Sequence, residues 1–303
     1  LRISNVSDWI KIFALIIALS ILLHNLIESH RFNIGIVRLS IIFISTILAL
    51  VMILPIVKNS FISEREMKIF GAFEDRSTYR CGKLVRIIDF KAVSCELSGG
   101  PVNKNNNILL VGNSHADSIK TTFVKIAEQN KISTHFIIQN NPLMSGGLNP
   151  NEIFAEAKLR SVNNIVVHFS SGGIKAELLG ELVALSEKGN IRVTFIDPVP
   201  TWSAHIPREM YFQLKGTGEN LQQTKEEYML THEAFFAEIG KINSSNFERL
   251  SVVDYFCKPN CVYQNGDGTP LYFDSGHLTL TGSKVLEKVF LKAIEKNLTS
   301  CFK

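Results

Sequence analysis

The sequence has little of the features that would assign a function class directly. Its formal net charge is only +4, from 32 Lys and Arg and 28 Asp and Glu among 303 residues. The basic residues are spread along the chain and form no stripe, so no nucleic-acid partner is indicated. No internal repeat or low-complexity segment is present, and the length suggests two structural units.

Charge is absent altogether from the nineteen residues of Leu39–Val57. A helix of that length, at about 1.5 Å per residue, spans the core of a bilayer. A second, largely apolar run, Ile12–Leu23, extends to Ile27 through His24 and Asn25. Alone it would suit a buried core helix, but beside a membrane span it favours a transmembrane hairpin.

The chain does not begin with methionine, and its long apolar run starts too far along the chain for a signal peptide. We therefore expect it to be the C-terminal part of a longer membrane protein. Lys and Arg flank both apolar runs, so the positive-inside rule does not decide the orientation.

Cysteine is missing from the apolar part of the chain, and all five cysteines follow it. Cys257 and Cys261 close the short loop "CKPNC", Cys81 and Cys95 bracket the entry to the polar part, and Cys301 is left over. Two local pairs are typical of an oxidising compartment. A zinc site would favour CxxC pairs and more nearby histidine, and unpaired buried thiols are the other alternative. We expect two disulfides, with this part of the chain outside the cytoplasm.

Beyond a polar connector, residues 58–106, the sequence alternates between two patterns. Short apolar or β-branched runs predict strands, and apolar residues at spacings of three and four predict helices between them. The predicted strands are Ile108–Val111, His135–Ile138, Ile165–Phe169, Val193–Ile196 and Leu250–Phe256, and the predicted helices include Ile119–Ile126, Leu178–Leu185, Phe235–Ile239 and Val285–Ile294. This alternation predicts a parallel α/β sheet with both faces covered and ligands at the carboxyl ends of its strands.

One serine lies where such a sheet binds ligands. In "LLVGNSHADS", Ser114 follows the first predicted strand and begins a helical stretch. Far along the chain, "YFDSGHLTLTGS" places Asp274 three residues before His277 in a glycine-containing loop. A serine nucleophile needs a base that takes its proton and an acid that orients the base. His277 suits the base better than the adjacent His115, because a neighbouring side chain usually points elsewhere. Each motif alone is also typical of a helix cap or a turn.

Together, "GNSHA" and "DSGHLTLTGS" resemble the SGNH hydrolase family, whose blocks are Gly-Asp-Ser and Asp-x-x-His. They are more closely similar to the SGNH domains that follow acyltransferase-3 membrane domains in bacterial envelope O-acetyltransferases, over roughly residues 78–300. The resemblance implies a three-layer, flavodoxin-like α/β fold with a parallel sheet, preceded by transmembrane helices. It also implies that Ser114 is the nucleophile, His277 the base and Asp274 its orienting acid.

The family's oxyanion hole consists of the N–H of the nucleophile, a glycine after the second strand and an asparagine after the third. Carried over, these imply Ser114 and one of Gly146 or Gly147. After the third strand, "VVHFSSGG" has no asparagine. We expect Ser170, Ser171 or a backbone N–H of Gly172 to substitute, or else a hole with fewer donors. Asn113, in place of the usual aspartate, is a second departure.

The apolar runs, the polar connector and the α/β pattern divide the chain into three predicted regions: a transmembrane segment at residues 1–57, an extracytoplasmic connector at 58–106 and a catalytic domain at 107–303. The resemblance implies transfer of an acetyl or other acyl group to a hydroxyl of an envelope polysaccharide or glycolipid, such as lipopolysaccharide O-antigen, at the bacterial inner membrane. No cofactor or metal is expected in this domain, since a donor such as acetyl-CoA would serve the upstream membrane domain of the same polypeptide. An esterase with the same triad and a non-catalytic envelope-binding module are the alternatives.

Overall fold

A computed structural model describes residues 62–78, 85, 87–89, 91–98, 103–138 and 141–299, with isolated positions between 14 and 48. Two compact units, Leu1–Met67 and Lys68–Lys303, divide the chain. The predicted spans, 12–27 and 39–57, lie almost wholly outside the described residues. Within the described residues, no helix has the length and apolar character needed to cross a membrane.

The second unit is built on a sheet of six strands in the order β1-β3-β2-β4-β5-β6. The strands are β1 (Ser94–Glu96), β2 (Asn103–Gly112), β3 (Ile132–Ile137), β4 (Val162–His168), β5 (Arg192–Ile196) and β6 (Phe247–Leu250). Strands β2 to β6 are all parallel to one another. The helices described are α1 (Glu64–Gly71), α2 (Ser114–Gln129), α3 (Pro150–Leu159), α4 (Ala176–Lys188), α5 (Ile206–Leu214), α6 (Lys225–Ile239), α7 (Val253–Phe256), α8 (Leu280–Lys284) and α9 (Glu287–Thr299).

The prediction of a wholly parallel sheet is wrong at one edge, since the sheet is mixed. Strand β1 pairs antiparallel with β3, through Cys95 opposite Phe136. An antiparallel edge strand on a parallel sheet is common. Three residues inside the polar connector carry no periodic apolar signal, so the sequence did not reveal this strand.

A second correction concerns the predicted strand Leu250–Phe256. Strand β6 ends at Leu250, and the chain then turns into the short helix α7. A helical turn buries Val253 and Phe256 on the same side, and the N–H of Cys257 donates to the carbonyl of Val253 at 2.8 Å. The spacing of three between these two apolar residues therefore marked a helix.

Helices cover both faces of the sheet. Helix α2 packs against β2, β3 and β4, with α8 and α9 beside it, whereas α3 and α4 pack against β4 and β5. A right-handed crossover places its helix on one face of the sheet or the other according to the direction in which the chain moves across the sheet. The chain moves one way from β2 to β3 and the opposite way from β3 to β4, so α2 and α3 lie on opposite faces. Residues Ile108–Val111 at the centre of β2 are wholly buried as a result. The direction in which successive strands are added to the sheet reverses beside β2. Such a place is called a switch point, and ligands of parallel sheets bind there.

Candidate active site

Ser114 begins helix α2 at the carboxyl end of β2, next to the switch point. Strand β2 ends at Gly112, and Asn113 caps the helix by accepting a hydrogen bond from the N–H of His115 at 3.0 Å. The side chain of Ser114 is exposed. The turn that caps the helix therefore also presents the hydroxyl to solvent.

This turn depends on a glycine at position 112. A Cβ atom there would lie 2.0 Å from the carbonyl oxygen of His168 in β4 and 2.4 Å from the Cβ of Ala116 in α2. Gly112 therefore lets β2, β4 and α2 approach closely immediately before Ser114.

Asp274 and His277 share one tight loop between α7 and α8. The N–H of Phe273 donates to the carbonyl of His277 at 3.0 Å, and Tyr272 pairs with Leu278 across the same loop. Oδ1 of Asp274 accepts hydrogen bonds from the N–H groups of Gly276 at 2.9 Å and His277 at 2.8 Å. The carboxylate is thus held by its own loop before it meets the imidazole.

A second segment supports this loop from the carboxyl end of β5. The N–H of Trp202 donates to the carbonyl of Ser275 at 2.7 Å, and that of Ile206 donates to the carbonyl of Asp274 at 3.2 Å. The ring of Trp202 is buried and meets Tyr263 edge-on. Trp202 therefore has a packing role beneath the site.

The structure brings Ser114, His277 and Asp274 together in one hydrogen-bonded chain. Oδ2 of Asp274 lies 2.7 Å from Nδ1 of His277, and Nε2 of His277 lies 2.7 Å from Oγ of Ser114. When Nδ1 carries the proton and donates a hydrogen bond to the carboxylate, Nε2 is free to accept the hydrogen bond of the serine. This is the geometry that general-base activation of a serine requires.

The charge state of Asp274 suits this arrangement. Burial alone would raise the pKa of its carboxyl group, but the hydrogen bonds from the His277 side chain and from the N–H groups of Gly276 and His277 lower it below its usual range. The carboxylate is therefore ionised at neutral pH and stabilises an imidazolium that forms beside it.

His115 takes a position that sequence reasoning missed. Its buried ring lies 4.5 Å from the ring of His277, measured between centroids, while Phe273 stacks near the same imidazole at 5.5 Å. Burial first, and then the proximity of His277 and His168, lowers the pKa of His115 to about 3. His115 is therefore neutral at pH 7 and packs against the proposed base.

The predicted oxyanion-hole residues lie in loops at the same edge of the sheet. Gly146, with a φ of +77°, follows β3, and Ser171 follows β4. The N–H of Gly147 donates to the carbonyl of Met144 at 3.0 Å within its own loop. That N–H is engaged in this conformation, so Gly146 is the better candidate of the two glycines.

Two of the predicted disulfide cysteines are joined in the structure, because Cys257 and Cys261 form a disulfide. Cys95 is also disulfide-bonded. Its predicted partner, Cys81, lies outside the described residues.

Residues 80–292 match the family described as "SGNH domain (fused to AT3 domains)". The match covers more than two thirds of the chain, and the chain belongs to this family. The periplasmic domain of a lipopolysaccharide acetyltransferase from Salmonella ser. Paratyphi A is similar in structure, with 18% sequence identity and a TM-score of 0.48. That likeness covers 66% of this chain and 86% of the other. No curated protein matches the chain in sequence.

Proposed function

We propose that this SGNH domain is an O-acyltransferase that moves an acetyl or other acyl group to a hydroxyl of an envelope polysaccharide through an acyl-Ser114 intermediate. The observation that carries the proposal is the hydrogen-bonded chain from Asp274 through His277 to Ser114, with both contacts at 2.7 Å. Its position at the switch point of the sheet, with Ser114 exposed, leaves room for an acyl donor to approach.

In the first half-reaction, Oγ of Ser114 attacks the carbonyl carbon of the acyl donor while Nε2 of His277 takes the hydroxyl proton. The carbonyl π electrons move to the oxygen and form a tetrahedral oxyanion. When the oxyanion collapses, the bond to the leaving group breaks, and His277 returns the proton to that group. Asp274 stabilises the imidazolium and keeps its proton on Nδ1.

In the second half-reaction, His277 deprotonates a sugar hydroxyl, which attacks the acyl-Ser114 ester. Collapse of the second oxyanion frees Ser114, which regains its proton from His277. The acyl group would come from the AT3 domain to which members of this family are fused. A donor such as acetyl-CoA would then be bound by that domain and not by the residues around Ser114.

The disulfides support a location on the periplasmic side of the bacterial inner membrane. Cys257 and Cys261 are bonded, and Cys95 is bonded as well. Disulfides form and persist in oxidising compartments and are rare in the cytosol. The predicted spans in residues 1–57 would tether the domain to the membrane, with residues 58–106 as the connector.

Esterase activity is the second candidate, and the exposure of Ser114 favours it. A bound acyl group at an exposed serine is accessible to water as well as to a sugar hydroxyl. The same three residues would then release the free acid.

Two measurements on the detergent-solubilised chain test the proposal. The first is the hydrolysis of a chromogenic acetyl ester, which we expect for the unaltered protein and not for Ser114→Ala. Equal activity in both proteins would contradict any role of Ser114, and no activity in either would favour a binding module. The second is product analysis with an oligosaccharide acceptor present. Acetylated sugar is the result expected, whereas acetate alone would establish the esterase.

A further inference from the structure

Ser170 lies beside Ser114 because their strands are neighbours. Strands β2 and β4 are parallel and pair with Gly112 opposite His168. Ser114 lies two positions after Gly112, and Ser170 lies two positions after His168. Neighbouring strands lie about 4.8 Å apart. The two hydroxyl-bearing residues therefore occupy corresponding places on either side of the switch point.

The side chain of Asn113 connects the two loops. Its Nδ2 donates to Oγ of Ser170 at 2.7 Å, and its Oδ1 accepts from the N–H of Ser170 at 3.4 Å. The same Oδ1 accepts from the N–H of His115 in the first turn of helix α2. A single amide therefore fixes Ser170 relative to the first turn that carries Ser114.

The direction of the Asn113 hydrogen bond decides what the Ser170 hydroxyl can do. Because Nδ2 is only a donor, Oγ of Ser170 is the acceptor in this contact. The O–H of Ser170 is thus not used toward Asn113 and is available to another acceptor.

The loop after β4 is shaped for this contact. The N–H of Gly173 donates to the carbonyl of Ser170 at 3.0 Å and closes a turn in which Gly172 has a φ of +69°. A Cβ atom at position 173 would lie 2.7 Å from both Nδ2 of Asn113 and Oγ of Ser170. Any larger residue at position 173 would therefore disturb the hydrogen bond between these side chains.

We infer that Ser170 is an oxyanion-hole residue, whose hydroxyl, held as an acceptor by Asn113, donates a hydrogen bond to the oxyanion that forms on acyl-Ser114. The inference rests on the proposed acyl-transfer function and assigns the donor to Ser170, one of the alternatives that the sequence left open. Ser170 keeps its proton throughout, and no bond to it forms or breaks. Asn113 is a positioning residue, since it acts through Ser170.

The experiment measures kcat and KM for a chromogenic acetyl ester with the full chain and its variants. Oxyanion donors act on the transition state, and removing one typically lowers kcat by about 10²–10³-fold. We expect Ser170→Ala to lower kcat by about 10²-fold with KM unchanged. A kcat within twofold of the original protein would overturn the inference.

Asn113→Asp tests the direction of the hydrogen bond while Ser170 remains in place. A carboxylate still accepts from the N–H of His115, but it also attracts the O–H of Ser170 and so withdraws it from the oxyanion. We expect a loss in kcat close to that of Ser170→Ala, and no further loss in the double variant. Full activity of Asn113→Asp, or multiplied losses in the double variant, would contradict the role assigned to Asn113.

Ser244→Ala is the matched control. Ser244 is also half-buried in a loop, and its hydroxyl oxygen accepts a hydrogen bond from the N–H of Asn246 at 3.2 Å. It precedes β6, however, and so lies at the amino end of a strand, away from the carboxyl ends where Ser114 and Ser170 lie. We expect its kcat to be unchanged. Ser114→Ala, measured alongside, separates the two proposals. If it stays active the proposed function fails, whereas an inactive Ser114→Ala beside a fully active Ser170→Ala overturns only this inference.

Discussion

Replacing Asp274 by asparagine tests the proposed mechanism at its most sensitive contact. The substitution changes one oxygen to an amide nitrogen of similar size, so the loop should keep its shape. Oδ1 accepts hydrogen bonds from the N–H groups of Gly276 and His277, at 2.9 and 2.8 Å, and an amide oxygen can accept both. The amide NH₂ must then face Nδ1 of His277, because the opposite orientation would direct it at two backbone donors.

The consequence for catalysis follows from the tautomer of His277. Nδ1 now faces a donor, so it accepts a hydrogen bond and the ring carries its proton on Nε2. A protonated Nε2 cannot take the proton of Ser114, which lies 2.7 Å away. The corresponding change in serine proteases lowers kcat by about 10⁴-fold, equivalent to about 5.5 kcal/mol. We expect a loss of about 10³–10⁴-fold here.

The assay is hydrolysis of the chromogenic acetyl ester, with thermal unfolding measured on the same samples. Asp254→Asn is the matched control, since Asp254 is largely exposed and pairs with Lys225 on the surface. We expect the control to keep both its activity and its melting temperature. A folded Asp274→Asn protein that retains more than a tenth of the original kcat would refute the role given to Asp274.

Three further predictions concern stability. Gly112→Ala places a Cβ 2.0 Å from a backbone oxygen of β4, so we expect a loss of about 1–3 kcal/mol in the free energy of unfolding by urea. The control Gly266→Ala has open space around the added Cβ and should change that free energy little. An equal effect of the two substitutions would contradict the packing argument. Burial lowers the pKa of His168 to about 4. Below pH 6.5 the unfolded chain therefore binds more protons than the folded chain, and about 3 kcal/mol of stability is lost as the pH falls from 6.5 to 4. His168→Asn should weaken this pH dependence in urea titrations, and an unchanged slope of the free energy of unfolding against pH would refute the prediction. Replacing Cys257 and Cys261 together by serine opens a loop with a sequence separation of 4, which the loop-entropy relation equates with about 2 kcal/mol; an unchanged urea midpoint would show that the disulfide contributes nothing to stability.

The sequence revealed those parts of the site that are carried by contiguous patterns. Ser114 follows an apolar strand and starts a helix, and Asp274 lies three residues from His277 in one loop. Both patterns are local, and the carboxyl-edge rule for parallel sheets brings them together without knowledge of any contact. The fold class could be predicted for the same reason, since strands β2 to β5 each contain a short apolar or β-branched run and periodic helices lie between them.

The parts that the sequence did not reveal depend on contacts between distant segments. Strand β1 has only three residues and exists through its pairing with β3. The contact between Asn113 and Ser170 joins residues 57 positions apart. Asn113 and the loop that holds Ser170 are also the two places where the motifs depart from the family pattern. In the sequence they are two separate substitutions, whereas the structure joins them by one hydrogen bond. Likewise, the packing of His115 against His277 follows from the direction of the first turn of α2.

The most direct test of the account is covalent labelling of the full chain with a fluorophosphonate, which reacts with activated serines, followed by peptide mapping by mass spectrometry. We expect one adduct per chain, on Ser114, and a much slower reaction in His277→Ala. An adduct on another residue, no adduct at all, or an unchanged labelling rate in His277→Ala would contradict the claim that His277 activates Ser114.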